Sequence, residues 1–127
     1  MDRKVIASEK APKALGPYSV AIRAGMFVFT SGQLGLDPLN GNLVPGGIEA
    51  ETRQALTNIL HVLAESGSGL DATVKTIVFL KDMADFPKMN AVYAEFFPDN
   101  PPARSTVQVA ALPKDGCVEI EVVALVK

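Results

Sequence analysis

One cysteine, one histidine and no tryptophan stand among 127 residues, and each shortage excludes a class of chemistry. Cys117 has no second thiol with which to close an intramolecular disulfide, so the chain reads as a protein of a reducing compartment, the cytoplasm. His61 and Cys117 show no metal-ligand spacing, and no structural or catalytic zinc set can be assembled from them. A Ser-His or Cys-His nucleophilic pair would have to use that same histidine, which disfavours triad chemistry. No P-loop and no strand-linked G-x-G-x-x-G is present, so neither metal nor any cofactor with such a signature is called for. Twelve Lys and Arg are scattered among fourteen Asp and Glu for a net charge of −2, without the basic stripe that phosphate neutralisation demands. That argues against a nucleic-acid partner. No apolar run approaches the roughly 20 residues that span a bilayer. The first ten residues, Met1 to Lys10, lack the apolar stretch of a secretory signal. The expectation is a soluble protein inside the cell, with no membrane partner.

What is present suits an ordered core: 48% of residues are hydrophobic and 20% charged. The length, with no linker, repeat or low-complexity tract, predicts a single domain over residues 1–127. Ser19–Arg23 and Met26–Ser31 read as strands joined by a turn at Ala24-Gly25. Asp37-Pro38-Leu39-Asn40-Gly41 is loop chemistry, closed by Pro45-Gly46-Gly47. A helix is predicted from about Ile48 to Ser66, with Thr52, Ala55, Leu56, Ile59, Leu60 and Leu63 on one face. His61 falls opposite, beside Gln54, Asn58 and Glu65, and reads as a solvated surface residue. Val74–Lys81 is a β-branched strand. Asp85 is the expected N-cap of a second helix reaching Phe97, whose apolar face carries Phe86, Met89, Tyr93, Phe96 and Phe97. Pro98, Pro101 and Pro102 end it, and Thr106–Ala110 and Val118–Val126 follow as strands. Both Val74–Leu80 and Val122–Val126 are apolar on both faces. Two helices cover one face of a sheet, so the other is expected to meet a second copy of the chain.

Five residues are left to carry chemistry. Arg104 follows the stiff Pro101-Pro102-Ala103 segment, where a guanidinium can grip a carboxylate through two parallel hydrogen bonds. By composition alone it is a surface arginine. Glu121 lies within an apolar strand, where desolvation raises a carboxyl toward the range of a general base. Glu119, two residues earlier, fits a solvent-facing reading. Asn90 needs a partner for its amide at the edge of the second helix, or caps a loop. Tyr18 sits on a Gly-Pro turn that can aim its hydroxyl into a cleft, though ordinary packing serves equally. Ser31 and Gly32 offer a hydroxyl and close backbone approach, or a simple turn.

Gly16-Pro17-Tyr18-Ser19, Thr30-Ser31-Gly32-Gln33, Val74-Lys75-Thr76, Asn90-Ala91-Val92-Tyr93, Pro102-Ala103-Arg104-Ser105, Leu112-Pro113-Lys114 and Val118-Glu119-Ile120-Glu121 occur in this order. Together they closely resemble the Rid family, the reactive intermediate (enamine/imine) deaminases, from about Val5 to Val126. The resemblance is to the archetypal deaminase subfamily that keeps the arginine. It implies an α+β, chorismate-mutase-like fold, a mainly antiparallel sheet with two helices packed on one face, and a homotrimer with active sites between subunits. It implies hydrolysis of 2-aminoacrylate and 2-aminocrotonate tautomers to 2-keto acids and ammonia without cofactor or metal. Pyridoxal-phosphate-dependent serine and threonine dehydratases would supply those substrates. Arg104 matches the carboxylate-binding arginine and Glu121 the glutamate that activates water. Tyr18, Ser31, Gly32 and Asn90 match pocket positions. Thr106 stands where many bacterial relatives carry a cysteine, and its backbone N–H remains available to a carboxylate. Two other functions compete: an endoribonuclease, an activity also attributed to members of the family, and a non-catalytic module, regulatory or chaperone-like, that binds small carboxylates.

Overall fold

The computed structural model describes residues 2–127. Its strands are β1 (Arg3–Ile6), β2 (Ala21–Ala24), β3 (Phe27–Thr30), β4 (Gln33–Leu34), β5 (Thr73–Leu80), β6 (Ala103–Gln108) and β7 (Val118–Leu125). Two helices, α1 (Gly47–Glu65) and α2 (Phe86–Phe96), complete the framework. The strands form one sheet in the order β1-β2-β3-β7-β5-β6, with β4 also on β7. Only β5 and β6 run parallel among the described pairs; α2 is the crossover that permits it. The expected α+β class, mainly antiparallel with two helices on one side, is the one observed.

The β2–β3 hairpin turns where expected, at Gly25, whose φ of 58° lies in the region that glycine enters without a Cβ penalty. The Asp37–Gly41 loop is held by its own side chains: Asp37 Oδ1 accepts from Leu39 N and Asn40 Oδ1 from Asn42 N. β1 and β4 were not expected. Arg3-Lys4-Val5-Ile6 shows little strand patterning, and a two-residue strand has no period to read. β6 begins three residues before the expected Thr106, which places Arg104 inside the strand. Asp85 occupies the N-cap position of α2 but makes no side-chain cap; Asp82 caps the preceding single turn instead, accepting from Ala84 N.

The sheet face toward the helices carries the core. Val78 and Leu80 of β5, and Val118, Ile120, Val122 and Ala124 of β7, pack against Leu56, Ile59 and Leu63 of α1 and Met89 and Tyr93 of α2. Two α1 assignments change. Leu60 is exposed, and Val62 is buried in its place. Asn58, expected beside His61 on the outer face, is fully buried; its amide donates to the Leu34 and Leu36 carbonyls at 3.1 and 3.0 Å. The irregular backbone around β4 has carbonyls with no strand partner, and a buried amide satisfies them. His61 is half-buried on α1, beside a hollow it shares with Ser8, Lys10 and Glu65.

The opposite face alternates out of register with the core. Phe27 and Phe29 of β3 are exposed, Ile77 and Phe79 of β5 and Val123 and Leu125 of β7 are half-buried, and Val107 of β6 is exposed. None of these side chains belongs to the core cluster among the described residues. Among the described residues, no helix is long and apolar enough to cross a membrane.

Candidate functional site

Two hollows divide the residues singled out above. The first is a cleft of about 570 Å³ lined by Leu15, Gly16, Pro17, Tyr18, Ser31, Gly32 and, from β7, Glu119, with Pro113 at its rim. The Leu15–Tyr18 turn folds on itself: Tyr18 N donates to Gly16 O at 2.8 Å, and Tyr18 Oη accepts from Leu15 N at 3.0 Å. The phenol therefore keeps its own proton free to donate toward the cleft. Ser31 Oγ donates to Ser19 O at 2.6 Å and Ser31 N to Val20 O at 2.9 Å, which tie this corner of the cleft to the segment leading into β2.

Glu119 is the carboxylate of this cleft. It pairs in register with Leu34 of β4, and its side chain lies over Gly32. A Cβ at position 32 would stand 2.6 Å from Glu119 Cδ, so glycine is what lets the carboxyl occupy that space. Burial raises the Glu119 carboxyl above its usual range, and the charge of Glu121 raises it further. The solvent-facing reading of Glu119 is thereby corrected. Glu121 projects from the same sheet face, opposite Ile77, and does not line the cleft. A period of two puts both glutamates on one face and cannot choose between them. β4 pairs with β7 at Glu119, the glutamate that lines the cleft.

The second hollow, about 410 Å³, is lined by Asn90, Tyr93, Ala94, Phe97, Pro101, Pro102 and Arg104. Asn90 and Arg104 thus come together, one from α2 and one from β6. Arg104 is half-buried, and its register partner is Thr76 of β5, on the helix side of the sheet. Its guanidinium carbon lies 4.7 Å from the Tyr93 ring centroid and 5.4 Å from that of Phe86. The ion pairs among the described residues are Arg53–Glu95, Lys81–Asp115 and Lys127–Asp71, none of which takes up Arg104. Thr106 points to the same side of β6 beside Val78, and its Oγ1 is buried without a hydrogen-bond partner. Sequence reasoning missed Phe86 and Tyr93 as neighbours of Arg104, because both read simply as core positions of a helix.

With this geometry in place, likeness to known proteins can be weighed. Residues 8–126 match the family described as endoribonuclease L-PSP. A 2-iminobutanoate/2-iminopropanoate deaminase of Bos taurus is 50% identical over 97% of this chain and 90% of its own length. The chain belongs to the Rid family. A RutC family protein of Pyrococcus horikoshii is 51% identical, over 96% of this chain and 97% of its own. The crystal structure of E. coli TdcF with bound serine superposes with a TM-score of 0.92 at 38% identity, covering 96% of this chain and 98% of that one. Rid relatives so similar along nearly the whole length make a small-molecule substrate the common expectation.

Cys117 stands outside both hollows. Its backbone N–H donates to Glu51 Oε1 at 2.8 Å, and its thiol is pushed up to about 11, by burial first and by Glu51 second. A thiol so held stays protonated near neutral pH and is a poor nucleophile.

Proposed function

We propose that this chain is a 2-iminobutanoate/2-iminopropanoate deaminase, a cytoplasmic, cofactor-free hydrolase that converts reactive imines of small 2-amino acids to 2-keto acids and ammonia. The observation that carries the reading is that a chain half identical to a protein so named holds both a hollow lined by Arg104, unpaired among the described residues, and a separate cleft lined by the half-buried carboxyl of Glu119. Arg104 binds the substrate carboxylate through two parallel hydrogen bonds, with Asn90 and the Thr106 N–H beside it. The enamine tautomerises to the imine, which takes up one proton from solvent to become the iminium, whose carbon is electrophilic. Glu119 takes a proton from water as the water oxygen bonds to that carbon, giving a carbinolamine. Glu119 returns that proton to the amino nitrogen, the C–N bond breaks while the hydroxyl proton passes back to solvent, and ammonia leaves behind the 2-keto acid. Tyr18 and Ser31 close the cleft around the water. Orientation of water and imine supplies most of what this reaction needs, since well-placed partners are worth up to about 7–11 kcal/mol.

One chain does not unite the two hollows, so the reading includes an assembly. Phe27, Phe29, Ile77, Phe79, Val123 and Leu125 form an apolar face that a second copy would cover, and we assign a homotrimer in which the Glu119 cleft of one protomer meets the Arg104 hollow of its partner. The substrate would come from pyridoxal-phosphate-dependent serine or threonine dehydratases, which release such enamines.

The test couples purified threonine dehydratase to this protein and follows 2-oxobutanoate appearance against spontaneous hydrolysis. Faster appearance with the wild type, abolished by Arg104→Ala with an unchanged circular dichroism spectrum, is the expected result. No acceleration sinks the proposal. Binding of 2-oxobutanoate without turnover would mark a non-catalytic carboxylate-binding module. RNA cleavage by the same preparation, lost in Arg104→Ala, would favour the endoribonuclease that the family description names.

A further inference from the structure

Arg104 is a cation held by aromatic rings and, among the described residues, by no acid. Tyr93 and Phe86 lie seven residues apart on α2, two turns along one face, and both rings come within cation–π range of the guanidinium, at 4.7 and 5.4 Å. The nearer ring is anchored. Tyr93 Oη lies 2.8 Å from Thr76 Oγ1 in the core, and Thr76 is the residue paired in register with Arg104 on the neighbouring strand. Tyr93 also packs on Phe97, with ring centroids 4.7 Å apart. Strand and helix thus share one short circuit: Arg104 to the Tyr93 ring, Tyr93 hydroxyl to Thr76, Thr76 across the sheet to Arg104.

The arrangement has a consequence for binding. An arginine paired with a protein carboxylate must release that partner before it can bind a ligand carboxylate. Stacking instead restrains the long side chain while leaving its N–H edges unoccupied, so less rotamer entropy is lost when a carboxylate arrives. We propose that Phe86 and Tyr93 are positioning residues that bracket the Arg104 guanidinium and present its free donor edge to the substrate carboxylate. This rests on the reading of Arg104 as the carboxylate ligand. Neither ring needs to touch substrate for the effect.

Phe86 is the residue to change, since it is half-buried whereas Tyr93 is part of the core. Phe86→Leu is expected to raise KM for the imine and weaken 2-oxobutanoate binding together, roughly three- to tenfold, with kcat within about twofold of wild type. Phe86→Trp, which restores a ring, is expected to restore both. The ring-shifted Nε–H resonance of Arg104, assigned by its loss in Arg104→Gln, should move toward its unstacked position in Phe86→Leu and return in Phe86→Trp. Unchanged KM and 2-oxobutanoate binding in Phe86→Leu, with Arg104→Gln strongly weakened, would overturn the bracket alone. Full 2-oxobutanoate binding by Arg104→Gln would overturn the carboxylate reading itself, and the bracket with it. Equal losses in Phe86→Leu and Phe86→Trp would reduce Phe86 to packing and also overturn the bracket.

Discussion

Arg104 and Glu119 project from opposite faces of one sheet. Arg104 is in register with Thr76, on the side that packs against α2, whereas Glu119 is in register with Phe79, on the side no helix covers. In the proposed reaction, a carboxylate-binding cation and a water-activating base on opposite faces do not meet on one small substrate within a single chain. That separation gives the proposed assembly a functional reason beyond covering apolar side chains.

Mixing experiments test it directly. Arg104→Ala and Glu119→Gln are each expected to be inactive alone. Unfolded together and refolded, they should regain measurable deamination, because mixed assemblies contain sites with an intact arginine from one protomer and an intact glutamate from its partner. Phe29→Asp, on the apolar face, should give monomers in light scattering with no activity. Active monomers, or mixtures as dead as their components, would mean that one chain holds a complete site.

The two glutamates of β7 should separate by pH. A base must be ionised, so activity should fall as the pH drops through the raised value of Glu119. Glu119→Gln is expected to lose about 10²–10⁴ in kcat with a smaller change in KM. Glu121→Gln should stay active and carry its acidic limb to lower pH, because one of the two causes raising Glu119 is gone. Stability follows the same linkage. The folded state holds the Glu119 proton more tightly than the unfolded chain, which stabilises the fold below the unfolded carboxyl value. That contribution is lost as pH rises through the folded one. Thermal melts of Glu119→Gln across that window should lack this loss. If Glu121→Gln proves the inactive variant, the roles are reversed.

Gly32→Ala probes the same corner without replacing a titrating group. Its methyl would fall 2.6 Å from Glu119 Cδ, so the carboxyl must swing away. Loss of kcat with little change in melting temperature is expected; an active Gly32→Ala enzyme would show that Glu119 does not act from its observed position.

The half-buried thiol makes an independent prediction. With Cys117 pushed up to about 11, iodoacetamide should label the native protein slowly at pH 7.5 and the urea-unfolded chain at an ordinary rate. Cys117→Ala should deaminate as well as wild type. Rapid native labelling would contradict the burial described.

Asn58→Ala should be among the most destabilising single changes. It strips the Leu34 and Leu36 carbonyls of their donor inside the core, at about 2–3 kcal/mol, measurable by urea unfolding. A loss below about 0.5 kcal/mol would mean that water reaches those carbonyls.

The sequence by itself determined the elements that local chemistry dictates. The 3.6-residue period drew α1 and α2, β-branched runs drew β5 and β7, and Ala24-Gly25 drew the hairpin, because each depends on neighbours along the chain. The motif flanking Arg104 also singled it out, and the structure places it in a hollow beside Asn90. Tertiary structure decided what depends on pairing between distant segments. β4 pairs with β7 where Glu119 lines the cleft and Glu121 does not, although both share one face. The carbonyls at Leu34 and Leu36 draw Asn58 inward against its helical pattern. The packing of α2 over β6 turns Phe86 and Tyr93 from core residues into the walls around Arg104. Periodicity specifies which face a side chain takes, but register between strands specifies what it meets there, and register is a long-range property.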